Sequence, residues 1–311
     1  MAIFPGLVNA HTHLQLPALA RPRREFLPWV NAVMAMGGAT TNADRTATAR
    51  AALKSLILDG VTSVGEIDST GLSPQVLRET SMAGLCYQEL VGFDLKGRAA
   101  TAAVAQGLVA GSARCRSGLS PHAPYSVSRS LLKASHATGR PLSVHVAETP
   151  EEVRFLRDGK GPFRELLEGL GKIPAGFRAP GLSPVQWLDR AKGLGPRTSL
   201  IHAQHIEEED VATIARRGSP IVVCPGTIRY FRRRPPPVPT WLDLGIPVAL
   251  GTDSLNVDGV LLVAEHGKYE KSATGNTMYP KRRLFGEVAE TFRSSGRSVP
   301  VFIDKHLADN W

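Results

Sequence analysis

His11 and His13 stand two residues apart at the end of the first apolar run, in Gly6-Leu-Val-Asn-Ala-His-Thr-His13. Successive side chains of an extended strand alternate between its faces, so both imidazoles emerge on one side, where a single metal ion can take both. Three further apolar segments end similarly: 142–146 carries His145 and leads to Glu148, 199–201 leads to His202, and 246–250 leads to Asp253. Singly, each residue has a plainer role, as a hydrogen-bonded core histidine or, for Asp253 in Gly-Thr-Asp-Ser, a helix N-cap. Four strand-end positions in order, all filled by metal-ligating or proton-transferring residue types, point instead to one site for metal-assisted hydrolysis.

A catalytic divalent ion needs a few protein ligands and one open position for water, whose pKa it lowers. His11, His13 and His145 offer neutral imidazoles, and Asp253 offers a carboxylate that can also accept a proton from that water. One ion is expected, zinc first and ferrous iron as the alternative, because this ligand set accommodates both. The region 116–125 contains no lysine to be carbamylated as a bridge between two metals, which leaves a mononuclear site. Glu148, three residues past His145, is placed to act as general acid and base. His202 is placed to hydrogen-bond the water or the developing oxyanion. His122, set between prolines in Ser120-Pro-His-Ala-Pro-Tyr-Ser126, is a candidate substrate contact. His205, beyond the end of its apolar run, is assigned to packing or helix entry.

Residues from opposite ends of a chain meet only if a scaffold gathers them. Apolar runs bounded by turn residues predict eight strands: 7–10, 62–66, 85–91, 116–120, 142–147, 199–203, 220–224 and 247–251. Helical spacing lies between most of them, as at 47–58, 74–82, 99–108, 128–138 and 208–216. This alternation predicts an α/β chain folded as a (β/α)8 barrel, whose strand ends collect at one rim. Two connections exceed a simple crossover. Residues 14–46, with Phe26, Trp29, Met34 and Met36, are expected to cover the rim as a substrate lid, although Trp29 and Val33 equally suit a helix packed on the barrel. The Gly- and Pro-rich stretch 159–195 is expected to fold over the same rim.

At 311 residues the chain can bury one large core. Apolar runs are too short to span a bilayer, and the start lacks the pattern of a secretory signal, so the cytoplasm is the expected compartment. Cys86, Cys115 and Cys224 are odd in number and lie in or beside apolar strands, which suits buried reduced thiols. The net charge of +9 is spread along the chain and does not imply nucleic-acid binding. Its one dense cluster, Arg229, Arg232, Arg233 and Arg234 before three prolines, is expected to be a solvated loop.

Pro5-Gly-Leu-Val-Asn-Ala-His-Thr-His-Leu14, Ser120–Ser126, His145-Val-Ala-Glu-Thr149, Leu200-Ile-His-Ala-Gln-His205 and Gly251-Thr-Asp-Ser254 together resemble the amidohydrolase superfamily. The likeness is to its cytosine/adenosine deaminase-like branch, which includes S-adenosylhomocysteine, guanine and aminofutalosine deaminases and triazine hydrolases. It implies the barrel, with His11, His13, His145 and Asp253 as metal ligands, Glu148 as proton shuttle, His202 polarising the water, and His122 touching substrate; Trp29, in the expected lid, is the other expected substrate contact. The implied chemistry is attack on an amidine-like carbon of a small aminated heterocycle, with loss of ammonia. Dechlorination of a triazine-like ring uses the same residues, and a barrel without turnover is a third reading.

The chain also departs from the family pattern. The first strand begins within a few residues of Met1, so most of the family's accessory β-sandwich is expected to be missing. The uncovered barrel surface then favours poor solubility or a homo-oligomer. Cys224-Pro-Gly-Thr-Ile228 replaces the family's usual segment after the seventh strand, and the likeness fades after Ser254, which divides the chain into a barrel, 1–254, and a divergent segment, 255–311.

Overall fold

The computed structural model describes residues 6–257 except 113 and 174. Eight strands form one sheet in sequence order: β1 Leu7–Thr12, β2 Val61–Asp68, β3 Ala83–Leu90, β4 Cys115–Pro121, β5 Leu142–Val146, β6 Thr198–His202, β7 Ile221–Val223 and β8 Val248–Leu250. Every neighbouring pair is parallel. All eight expected strands are present. The expected segment 255–311 lies outside the described residues, apart from one 3-10 turn at Leu255–Val257.

The helices are α1 Phe26–Ala39, α2 Asn42–Leu58, α3 Ser73–Arg78, α4 Gly97–Gly107, α5 Arg129–Ala137, α6 Pro150–Asp158, α7 Pro162–Gly169, α8 Pro184–Arg190, α9 Glu208–Arg217, α10 Pro225–Tyr230 and α11 Val238–Asp243. Local chemistry sets their ends. Thr41 and Asp44 close a capping box at the start of α2, whose inward stripe is Ala49, Leu53 and Leu56. Thr149 caps α6 ahead of Pro150, and Gly159 ends it in the left-handed conformation.

Parallel strands are buried on both faces, and the two faces differ here. Leu142, Val144, Leu200, Ile221, Val223 and Val248 pack outward with Leu131, Val185, Leu188, Ile214 and Trp241 of the surrounding helices. Alternate residues Ile201, Val222, Cys224 and Ala249 form a separate inner cluster with Ala10. β8 returns to β1 through a bridge between Thr12 and Asp253. His13 N–H donates to Asp253 O at 2.8 Å, and Thr252 N–H donates to His11 O at 3.0 Å. Gly251 makes this closure feasible: a Cβ there would lie 2.8 Å from His11 Cβ and from His11 O.

The first long connection lies at the rim as expected, and the second does so only in part. α1 contains no buried residue and borders the rim cavity. In 159–195, α7 also borders that cavity, whereas Val185, Trp187 and Leu188 of α8 belong to the core between sheet and helices. The stretch is therefore partly lid and partly barrel wall.

Candidate active site

The polar groups meet where the strands end. His11 is fully buried in β1, where the pairing register shifts between Asn9 and Thr12; that irregularity re-aims its side chain. Its ring lies 4.9 Å from that of His13 and 5.0 Å from that of His145, centroid to centroid. His145 is the last residue but one of β5, His202 ends β6 and Asp253 follows β8. Four of the six non-glycine residues with positive φ among the described residues are here: Ala147 (49°), His202 (71°), Ala203 (47°) and Asp253 (62°). Side-chain residues in this region of backbone space are strained, and such strain concentrates where function requires a particular side-chain direction.

Two triads share His11. Ligand atoms of His11, His145 and His202, and separately those of His11, His13 and Asp253, lie within 4.8 Å of one another. Asp253 Oδ1 is 3.8 Å from His11 Nε2 and 3.7 Å from His13 Nε2. Its other oxygen, Oδ2, is 3.9 Å from His202 Nε2 and accepts from Thr227 Oγ1 at 2.5 Å. Burial holds the imidazoles neutral: the pKa values of His13 and His145 fall to about 3 and that of His202 to about 4, and His11 is also well below its ordinary value. Burial raises the pKa values of Asp253 and Glu148.

These residues fit a divalent cation. Both ring nitrogens of His11 are buried without a hydrogen-bond partner. That is costly in a protein interior unless something absent from the polypeptide satisfies them. His145 Nδ1 lies 3.0 Å from His122 O, so it carries the proton and leaves Nε2 free for an ion. Neutral imidazoles with a carboxylate form a donor set suited to zinc or ferrous iron.

Glu148 is buried beside the cluster, with Oε2 3.7 Å from His202 Nε2. Its backbone is fixed from below. The Glu152 carboxyl accepts from the N–H groups of Ala147 and Glu148, both at 3.0 Å. Burial pushes the Glu152 pKa up to about 8. The sequence signal for Glu152 was the Thr149-x-x-Glu pattern of a helix start.

Above the cluster opens a cavity of about 600 Å³, bordered by His13, His145, Glu148, His202 and Asp253 on its polar floor. Its walls include Phe26, Trp29, Val33 and Met34 of α1, and Leu166 and Leu167 of α7. Trp29 and Val33 thus face the cavity, and the Trp29 Nε1 donor is buried without a partner. His122 borders the cavity too, with Nδ1 2.7 Å from Ser126 Oγ and Nε2 4.0 Å from Glu89 Oε1. Glu89, at the end of β3, was invisible in the sequence because a single carboxylate beside a strand carries no motif. His205 stays outside the ligand groups, half-buried. All three cysteines are buried and free.

The arginine cluster corrects the expectation of a solvated loop. Arg232 and Arg234 are exposed, but Arg233 turns inward, its side chain only 10% exposed and its Nη1 3.4 Å from Glu148 Oε1. Composition identified the loop but could not reveal that α10 folds it back onto the rim.

Comparison with known proteins agrees with this architecture. The amidohydrolase family matches residues 2–293. An aminodeoxyfutalosine deaminase of Deinococcus radiodurans is 31% identical over 283 residues, covering 85% of this chain and 66% of the relative. A 5′-deoxyadenosine deaminase of Methanothermobacter thermautotrophicus is 27% identical, covering 81% of this chain and 57% of the relative. The chain therefore spans under two thirds of the length of these curated relatives. The crystal structure of Helicobacter pylori aminofutalosine deaminase with methylthio-coformycin superposes with a TM-score of 0.70 at 22% identity, covering 81% of this chain and 64% of that one. With a barrel of eight parallel strands, a buried His/Asp cluster at its rim and a family match across most of its length, the chain belongs to the amidohydrolase family.

Proposed function

We propose that this protein is a metal-dependent aminohydrolase that removes the exocyclic amine of an adenine-type nucleoside. The observation that carries the reading is the position of Glu148: a buried carboxyl bordering the cavity beside histidines that burial keeps neutral. His11, His13, His145 and Asp253 would hold the ion, and a divalent ion bound there supplies acidification of a water molecule. Asp253 Oδ2, held by Thr227, accepts a proton at the side facing His202. His202 Nε2 directs a hydrogen bond toward the attacking oxygen. Glu148 Oε2 faces the cavity floor and would carry one proton of the water to the ring nitrogen, and the proton accepted by Asp253 would leave with the departing amine, a division that the raised pKa of Glu148 suits.

The cavity supports a substrate class as well. Relatives 31% and 27% identical are deaminases whose names specify aminodeoxyfutalosine and 5′-deoxyadenosine. In this chain Phe26, Trp29, Val33, Met34 and Leu166 form an apolar wall. Such a wall favours an apolar substituent over the triphosphate of a nucleotide, whose charges would lose their hydration there. Glu89 and His122 supply polar groups between that wall and the floor, suited to sugar hydroxyls or ring nitrogens. The test is ammonia release by zinc-loaded protein from 5′-deoxyadenosine, with adenosine triphosphate as the charged control. Release from the first and not the second is expected. A protein with one metal per chain that releases no ammonia from any aminated purine nucleoside would overturn the reading.

A further inference from the structure

Glu148 has two carboxyl oxygens in different surroundings, and the difference traces to one arginine. Oε2 is 3.7 Å from His202 Nε2, at the cavity floor. Oε1 is 3.4 Å from Arg233 Nη1. Arg233 does not border the cavity, whereas Phe26 beside it does. The guanidinium lies 4.6 Å from the centre of the Phe231 ring and 5.6 Å from that of Phe26, whose own centres are 5.6 Å apart. Arginine stacks favourably on aromatic faces, and two rings restrict the plane of its fork.

The backbone supports this placement. Arg232 adopts φ of 54°, which turns the chain at the end of α10, and Arg233 N–H donates to Ile228 O at 2.9 Å. Phe26 belongs to α1, so the helix forming the apolar wall also braces the arginine. The guanidinium is a buried cation with Glu148 as its one ion-pair partner among the described residues. Such a pair is strongly orienting, because either member left alone keeps an uncompensated charge in the interior.

We propose that Arg233 is a positioning residue for Glu148: it occupies Oε1, thereby reserving Oε2 for proton transfer at the cavity floor. The proposal rests on the reading of Glu148 as the proton carrier. Bonding to one oxygen fixes the rotation of the carboxyl plane, a degree of freedom that the Glu152 contacts to the backbone do not control. The aromatic braces prevent the guanidinium from swinging into the cavity and competing with substrate for Oε2.

Two measurements on Arg233→Met and Arg233→Lys test the idea. In zinc-loaded enzyme acting on 5′-deoxyadenosine, Arg233→Met is expected to lower kcat by up to about a hundredfold, as a misplaced catalytic group does, with KM unchanged. Arg233→Lys should recover part of the loss. A raised KM with kcat retained would make Arg233 a substrate contact and overturn the proposal, as would an unchanged kcat. The second measurement needs no turnover: thermal unfolding of metal-free wild type, Arg233→Met, Glu148→Gln and the double variant. A coupled pair predicts a double variant that melts several degrees above the value expected by adding the two single effects. Additive melting shifts would show that the two side chains do not interact, and would overturn the pairing even if no nucleoside proved to be a substrate. Coupled melting in a protein that deaminates nothing would instead reject the proposed function and leave the pairing standing.

Discussion

Two clusters of buried polar residues lie side by side in this barrel, and they are satisfied in opposite ways. The first is Gln15, Glu66, Asp68 and Ser73, at the ends of β1 and β2. Gln15 Nε2 donates to Asp68 Oδ1 at 2.7 Å and to Ser73 Oγ at 2.6 Å, and Ser73 Oγ donates to Glu66 Oε1 at 2.7 Å. Leu14 N–H donates to Glu66 Oε2 at 3.0 Å, and Gly71 N–H to Asp68 Oδ1 at 2.8 Å. One oxygen, Asp68 Oδ2, is left over. The second cluster, around His11, has both nitrogens of its central ring unpartnered, and its carboxylate-to-imidazole separations are 3.7–3.9 Å.

The difference separates structure from chemistry. A buried polar network that closes on itself rigidifies a fold, whereas one that leaves donors and acceptors pointing at each other without bonding is incomplete as polypeptide. The two clusters also cooperate, since the Glu66 bond to Leu14 N fixes the residue after His13. The first cluster holds the turn in place so that the second can remain unsatisfied.

The sharpest way to break the contrast is to substitute in the unsatisfied cluster. Glu148→Gln is expected to retain the metal and lower ammonia release by about two to four orders of magnitude, the usual weight of general acid–base catalysis. His11→Ala is expected to lose the metal itself. Elemental analysis beside the kinetic assay separates the two outcomes, and a Glu148→Gln enzyme of ordinary activity would remove that residue from the mechanism.

Acid should expose the same contrast in metal-free protein. His13, His145, His202 and His122 have folded pKa values lowered to about 3 or 4 from 6.5, chiefly by burial. Such groups take up protons on unfolding, so their contribution to stability is complete above pH 6.5 and is lost as the pH falls through the folded values. Near pH 5 each imidazole protonated only in the unfolded chain adds a slope of about 1.4 kcal/mol per pH unit. Urea denaturation of chelator-treated protein between pH 7 and 5 measures the sum. Buried carboxyls with raised pKa values, Glu152 at about 8 among them, release protons on unfolding and give the opposite slope, so the histidine share is read as the difference between wild type and His122→Gln. An unchanged slope in the variant would mean that this ring is not buried as described.

Substitution in the satisfied cluster should do the reverse. Ser73→Ala removes a donor from Glu66 and an acceptor from Gln15, which is expected to cost about 1–3 kcal/mol of stability with metal stoichiometry retained. Loss of metal at full stability would show that the two clusters have been assigned the wrong way round. Thr227→Val lies at their functional boundary: it strips one hydrogen bond from Asp253 and is expected to weaken metal affinity about ten- to a hundredfold. Competition with a chelator of known strength reads this smallest effect.

Much of the molecule was legible because periodicity and strand-end chemistry are local. Apolar runs marked all eight strands, and the parallel barrel follows from their alternation with helices, which explains why residues as distant as His11 and Asp253 meet. Glu89, Glu152 and Arg233 were not legible. Glu89 is a single carboxylate beside a strand, the Thr149-x-x-Glu152 pattern marks a helix start but not which backbone groups the carboxyl will hold, and Arg233 looked like one of several surface arginines. The sequence by itself determined the elements, their order and the residue types that end each strand, because hydrophobic period and turn chemistry act over a few neighbours. Only the tertiary structure decided which histidines lack partners, which face of α1 borders the cavity and which arginine turns inward. Those outcomes depend on distances between segments far apart in the chain, and on a closure at Gly251 that brings β8 within hydrogen-bonding distance of β1.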